Sequence, residues 1–209
     1  MTIIVFGATG TVGKQLVQQA LFNGYHVRAF GRNVYTTDYL QTENLKLVQG
    51  ALFDEGEVLH AIKGSDAVFS AIGGSRDGVD KARTLGIKNI IKQMQKAGVK
   101  RIIAVGGSGI LNADENTLLV DHEDYPKKYL VVGKEHQKAY EYLKESDLDW
   151  TMIGSPEIIN NGPTGSFITK ANYEPEPNKD HINAGDLAMF MLNELERNEF
   201  IRQRVGISN

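Results

Sequence analysis

The chain has 209 residues, 41% of them hydrophobic and 23% charged, which suits one α/β domain with a buried core and leaves little room for two. Its 23 basic and 26 acidic side chains give a net charge of −3 and are spread along the chain, which excludes the electrostatic footprint of a nucleic-acid or anionic-membrane binder. With no cysteine, disulfides, thiolate metal sites and a cysteine nucleophile are ruled out.

Met1-Thr2 leads straight into Ile3-Ile4-Val5-Phe6, a β-branched run of the kind buried on both faces of a parallel sheet. That run is too short for a signal-peptide apolar region, and no segment approaches the ~20 apolar residues of a membrane span, so the expected location is the cytoplasm. Gly7 ends the strand. From Thr11 the period becomes helical, with Val12, Leu16, Val17, Ala20 and Leu21 on one face, until Asn23-Gly24. Residues 26–30 read as a second strand, 46–49 as a third, and 55–62 as a short helix. Residues 67–72 form a further buried strand ending at Gly73-Gly74. A long helix is expected over 80–97, a fifth strand over 101–105, a helix over 133–145 and a strand over 149–153. Asp186 is expected to cap a last helix running to Leu195, and 203–207 to add a final strand. The alternation predicts a Rossmann-type doubly wound parallel sheet with helices on both faces, in a single domain spanning 1–209. Two irregular pieces, 110–132 and 155–182, lie at the carboxyl ends of strands, where ligands of open α/β sheets bind.

The loop Gly7-Ala8-Thr9-Gly10-Thr11-Val12-Gly13 sits between a strand and a helix, the setting in which glycines carry a dinucleotide. Gly7 allows the sharp turn, Gly10 leaves room for a pyrophosphate, and Gly13 brings the helix onto the sheet. The helix N-terminus favours the phosphates. The alternative is a strand–helix turn with no ligand. Gly7-Ala8-Thr9-Gly10-x-x-Gly13 resembles the opening of the extended and atypical short-chain dehydrogenases, and within them is most similar to the NmrA-like and biliverdin reductase B/flavin reductase-like branch. Gly31-Arg32, Ser70-Ala71-Ile72-Gly73-Gly74, Gly86-Ile87-Lys88-Asn89-Ile90-Ile91 and the stretch from Leu143 to Thr151 match as well.

At the end of the second strand, NAD-specific enzymes usually place an acidic residue against the ribose 2′-hydroxyl, whereas this chain has Arg32. A guanidinium binds a 2′-phosphate bidentately, so NADP(H) is the expected cofactor; the competing reading is a solvated loop arginine. The resemblance implies further cofactor walls at Ala51, Leu52, Ala71, Ile72 and Gly73, with Pro156 near the nicotinamide. The family usually has Gly-Asp after its third strand, and Gly50-Ala51 departs from it; the missing hydrogen bond would have to come from Asp54.

Short-chain dehydrogenases pair a serine with a Tyr-x-x-x-Lys. Ser108 stands where the serine belongs. Tyr140 and Lys144 have the spacing but lie about 15 Å down the helix from its ligand end. Lys134 is at the right end, preceded by Leu130 at four residues and Tyr129 at five. Ser108 and Lys134 are therefore the expected catalytic residues, with His136 either a proton donor or a solvated helix histidine, and Glu157 without an assigned role. Asp121-His122-Glu123-Asp124 reads as an acidic loop and no metal site is expected. These features suggest an NADPH-dependent reductase that passes a hydride to a flavin, quinone or similar planar small-molecule acceptor. The alternatives are a non-catalytic NADP-binding sensor of NmrA type and, less favoured, a sugar-nucleotide epimerase.

Overall fold

The structure is a computed structural model and describes residues 1–75 and 77–209. Its first half alternates as the apolar periods dictate: Thr2–Phe6 (β1), Thr11–Phe22 (α1), His26–Gly31 (β2), Leu45–Gln49 (β3), Glu55–Ile62 (α2), Ala67–Ser70 (β4), Ala82–Ala97 (α3) and Arg101–Gly107 (β5). The second half runs Leu130–Glu145 (α4), Asp149–Ser155 (β6), Glu157–Ile159 (β7), Ile168–Ala171 (β8), His181–Asn183 (β9), Ala184–Arg197 (α5) and Gln203–Ser208 (β10).

Eight strands make one sheet in the order β3-β2-β1-β4-β5-β6-β10-β8, and β7 and β9 pair separately. Seven strands are parallel; β8 runs antiparallel against β10, from Val205↔Ala171 to Ser208↔Ile168. The expected parallel sheet is present, and β8 adds an antiparallel strand at its edge. Ile168-Thr169-Lys170-Ala171 alternates exposed and half-buried positions, the pattern of a strand covered on one face only, and such a strand needs no crossover helix.

Alternate residues of the central strands feed two cores. Ile3 and Val5 face α1 and α5, with Leu16, Val17, Leu187 and Met191. Ile4 and Phe6 face α2, α3 and α4, with Ile62, Ile90, Met94 and Leu143. The chain leaves β1 toward β2 and β3, then enters β4 on β1's other side, so the strand order reverses between β1 and β4. That reversal opens a crevice at their carboxyl ends.

Two polar clusters brace the far elements. The Arg101 guanidinium, at the start of β5, reaches Glu194 Oε1 at 2.8 Å, Thr151 Oγ1 at 2.9 Å and the Asp149 carbonyl at 3.0 Å, with both ionic side chains buried. Asp186 does not cap α5. Asn183 holds the cap position, and the buried Asp186 carboxylate, in the first turn, accepts from the Thr164 and Gly165 amides at 2.7 and 2.8 Å and from the Asn183 and Asn209 side chains at 2.9 and 2.7 Å. Asp80 likewise lies outside its helix: its carboxylate accepts from the Ser75 and Ala82 amides.

Candidate functional site

The glycine loop closes the crevice from β1's side. Gly7 has φ +81°, and a Cβ there would fall 2.3 Å from the Ala71 carbonyl oxygen, so the exits of β1 and β4 touch backbone to backbone. A Cβ on Gly13 would fall 2.1 Å from the Gly7 carbonyl oxygen, which is how closely the first turn of α1 packs on the loop. Thr9, Gly10 and Thr11 are exposed, while Val12 and Gly13 are buried. Gly10 caps α1 with no side-chain hydrogen bond, and the first turn holds no carboxylate. The amides of Thr11, Val12 and Gly13 have no earlier helical carbonyl to bond, so they and the positive end of the helix are open to an anion. A pyrophosphate fits this cradle. Beneath it, the buried Tyr39 hydroxyl donates to the Ala8 carbonyl and fixes the loop from a distance of 31 residues in sequence.

Arg32 follows β2 directly. Its side chain is exposed and takes part in no ion pair among the described residues, while its carbonyl accepts from Gln49 Nε2 at 2.9 Å. A Cβ on Gly31, its neighbour, would lie 3.3 Å from Thr9 Cγ2, which sets Arg32 beside the glycine loop. Asp54 is occupied otherwise: its carboxylate caps α2 through the Glu57 amide at 2.8 Å, and Glu57 in turn accepts from the Ala51 amide at 2.6 Å. Leu52 and Ile72 pack side by side over Gly86 of α3, where a Cβ would meet Leu52 Cδ2 at 2.5 Å, and Asn89 donates to the Leu52 carbonyl at 2.9 Å. Leu52, Ala71 and Ile72 therefore lie together beside the exits of β1 and β4, and the space over Gly73 is open. The Gly86–Ile91 stretch is what shapes that wall.

Past β5, Ser108 opens a single 3-10 turn, Ser108–Ile110, and is half-buried. His136 packs on the residue before it. A Cβ on Gly107 would lie 3.1 Å from His136 Cδ2 and 3.6 Å from Nε2, so the imidazole edge rests on the end of β5. The ring is enclosed, though its residue keeps some solvent contact. Burial, then the Arg83 charge, lower its pKa to about 3 against the opposing pull of Glu135. It is therefore a neutral imidazole at neutral pH.

Lys134, two positions away and so on another face of α4, turns outward. Its ammonium bonds Asp121, in the loop between β5 and α4, and Gln137 Oε1, one turn along α4, at 3.0 Å. The structure does not bring Lys134 to Ser108. Helix α4 starts at Leu130, earlier than expected, after a 3-10 turn at Lys127–Tyr129. Tyr140 packs edge-on against Trp150, ring centroids 5.8 Å apart, beneath Arg204. It lies toward the start of β6, away from the ligand end. Pro156 is half-buried between β6 and β7, and Glu157 is exposed. Two neighbours of the site carried no sequence signal. Tyr125 sets its hydroxyl 2.8 Å from where a Cβ would stand on Gly109 or Gly133, and Arg83 donates to the Gly74 and Ser75 carbonyls at 3.0 Å each. A surface groove of about 580 Å³ lies elsewhere, between α1 and α5, lined by Gln15, Phe22, Pro163 and Met189.

Comparison with known proteins agrees with this fold. A family model described as NAD(P)H-binding matches residues 7–198. A crystal structure from Burkholderia pseudomallei, provisionally named an exported protein, is 33% identical with a TM-score of 0.86, each chain covered in full. A Streptococcus pneumoniae structure provisionally named an NADH-flavin reductase is 27% identical with a TM-score of 0.85, covering 100% of this chain and 99% of that one. The uncharacterized protein YwnB of Bacillus subtilis is 28% identical over 99% of this chain and 98% of its own length. Among the described residues, no helix is long and apolar enough to cross a membrane.

Proposed function

The chain belongs to the NAD(P)H-binding family, and from that premise we propose that it is an NADPH-dependent reductase whose acceptor is a flavin, a quinone or a similar planar molecule. The observation that carries this reading is at the end of β5: a neutral imidazole, His136, rests on Gly107, the residue before Ser108, where a carbonyl-reducing enzyme of this type would present a Tyr-Lys pair. When bound, NADPH supplies a hydride from its nicotinamide ring. A planar ring system delocalises the charge it gains, so it needs a hydrogen-bond donor to hold it and little acid catalysis. Ser108 is suited to donate to the acceptor, and His136 to hold the acceptor or the nicotinamide edge.

The glycine-loop amides would take the pyrophosphate and Arg32 the 2′-phosphate, with Ala51, Leu52, Ala71, Ile72, Gly73 and Pro156 as walls. Lys134 could meet the nicotinamide ribose only by leaving Asp121, so we assign the α4 contribution to His136. The name of the Streptococcus relative supports a flavin-type acceptor. The test is NADPH consumption with riboflavin, FMN and simple quinones. Turnover with at least one of them is expected; stoichiometric NADPH binding with no turnover on any of them would make the chain a sensor.

A further inference from the structure

β2 and β3 set two cations directly opposite each other. Arg28 and Lys46 pair in register across the two strands. Together with Val48, and with His60, Ala61 and Lys63 at the end of α2, they line a surface depression of about 250 Å³. Like charges facing across adjacent strands repel. The fold holds Arg28 there all the same: its Nη1 donates to the Ala61 carbonyl at 2.8 Å and to the Lys63 carbonyl at 2.6 Å. Those bonds leave Nε and Nη2 with no hydrogen bond among the described residues. They form the edge of a guanidinium that matches two oxygens of an oxyanion. A Cβ on Gly64 would lie 3.8 Å from Nη2, so the glycine keeps a side chain off that edge.

Among the described residues, Arg28, Lys46 and Lys63 take part in no ion pair, and no carboxylate lines the depression. The acids of the surrounding elements are held elsewhere. Glu55 pairs with Lys92 and Lys96, Asp54 caps α2, Glu57 accepts from the Ala51 amide and Asp66 from the Thr2 amide. Glu43, ahead of β3, is not among the lining residues. Three uncompensated cations thus converge in a chain whose net charge is −3. The negative end of α2 accounts for Lys63 and His60, which lie on it, but not for Lys46 on β3. We propose that this depression binds a phosphate-bearing anion, held bidentately by Arg28 and flanked by Lys46 and Lys63. Arg28 and Lys46 sit in the amino-terminal halves of their strands, whereas the glycine loop follows the carboxyl end of β1. The anion and a dinucleotide therefore occupy separate places and can be bound together. The proposal is independent of the reductase reading.

The test is calorimetric titration of the NADP⁺-saturated protein with inorganic pyrophosphate, in about 0.15 M KCl to screen loose attraction to exposed lysines. One pyrophosphate per chain is expected. In Lys46→Met/Lys63→Met, at two exposed positions, its affinity should fall at least about tenfold while NADPH affinity stays within about twofold. Arg28→Met should abolish binding, but it also takes the donor from the Ala61 and Lys63 carbonyls. Arg28→Lys, which keeps the charge and loses the fork, should weaken binding about tenfold and separates recognition from folding. Thermal unfolding gives a second readout: pyrophosphate should raise the midpoint of wild type and leave that of the lysine double variant unmoved. No binding to wild type would overturn the proposal, because the cations would then serve the fold alone. Binding undiminished in the lysine double variant would also overturn it, as the mark of an adventitious ion only.

Discussion

Ser108 ends a buried strand and begins a single 3-10 turn, so its side chain stands at the rim of the crevice with His136 beside the preceding glycine. Ser108→Ala should lower kcat by about tenfold or more if the hydroxyl donates to the acceptor as charge develops, and should leave NADPH affinity unchanged. Tyr140→Phe should change neither, because the ring stays on Trp150; steady-state kinetics with one active acceptor check both. His136 makes a separate claim, on stability. Its folded pKa of about 3 lies below the ~6.5 of an unfolded histidine, so the unfolded chain takes up the proton first. The stability this residue contributes is complete above about pH 6.5 and declines as pH falls toward 3, by at most ~1.4 kcal/mol per unit. Arg83 and Glu135, the charges nearest the ring, pull in opposite directions and leave burial dominant. Urea denaturation of wild type and His136→Gln at pH 7, 6 and 5 should show a shallower loss in the variant. Parallel pH profiles would mean that the imidazole is not enclosed. Sequence alone left His136 undecided between donor and surface residue, since its spacing from Lys134 says nothing of which helix face meets β5.

At the scale of elements, the strongly periodic segments of the first half were legible: β1, α1, β2 and α2 fall where their apolar spacing puts them. The region 155–182 was not. β7, β8 and β9 have three or four residues each, too few for alternation to stand out among Pro156, Pro163, Pro175 and Pro177. Nor could the helix-cap reading of Asp186 survive, because its partners Thr164, Gly165 and Asn209 lie about twenty residues away. The Arg101–Glu194 pair is of the same kind, joining α5 to β5 and β6 across 93 residues. Each ion is desolvated and held by its partner, so removing one leaves the other buried without compensation. Glu194→Gln should destabilise the fold by about 3 kcal/mol in urea denaturation, whereas Arg101→Met/Glu194→Leu should cost less than that single change. A double variant as unstable as the sum of the singles would mean the two side chains act independently.

For the whole molecule, the sheet order matters more than any one side chain. The reversal between β1 and β4 gathers the glycine loop, Arg32, the Ala71–Gly73 exit and Ser108 onto one edge, although they span 100 residues of sequence. Those residues were identifiable because each sits at a strand's carboxyl end, a position that a strand–helix alternation defines without coordinates. Lys134 shows the limit of that logic. Its end of α4 was right, and its face was decided by Asp121, a contact no periodicity encodes. The central claim, that this edge binds NADPH through Arg32, is tested most directly by equilibrium titration of wild type and Arg32→Ala with NADPH and NADH. The account predicts one NADPH per chain, bound at least about tenfold more tightly than NADH, a difference of ~1.4 kcal/mol, and a preference that collapses in Arg32→Ala while NADH affinity holds. Equal affinities for the two nucleotides in wild type, or an Arg32→Ala variant that keeps the preference, would contradict it.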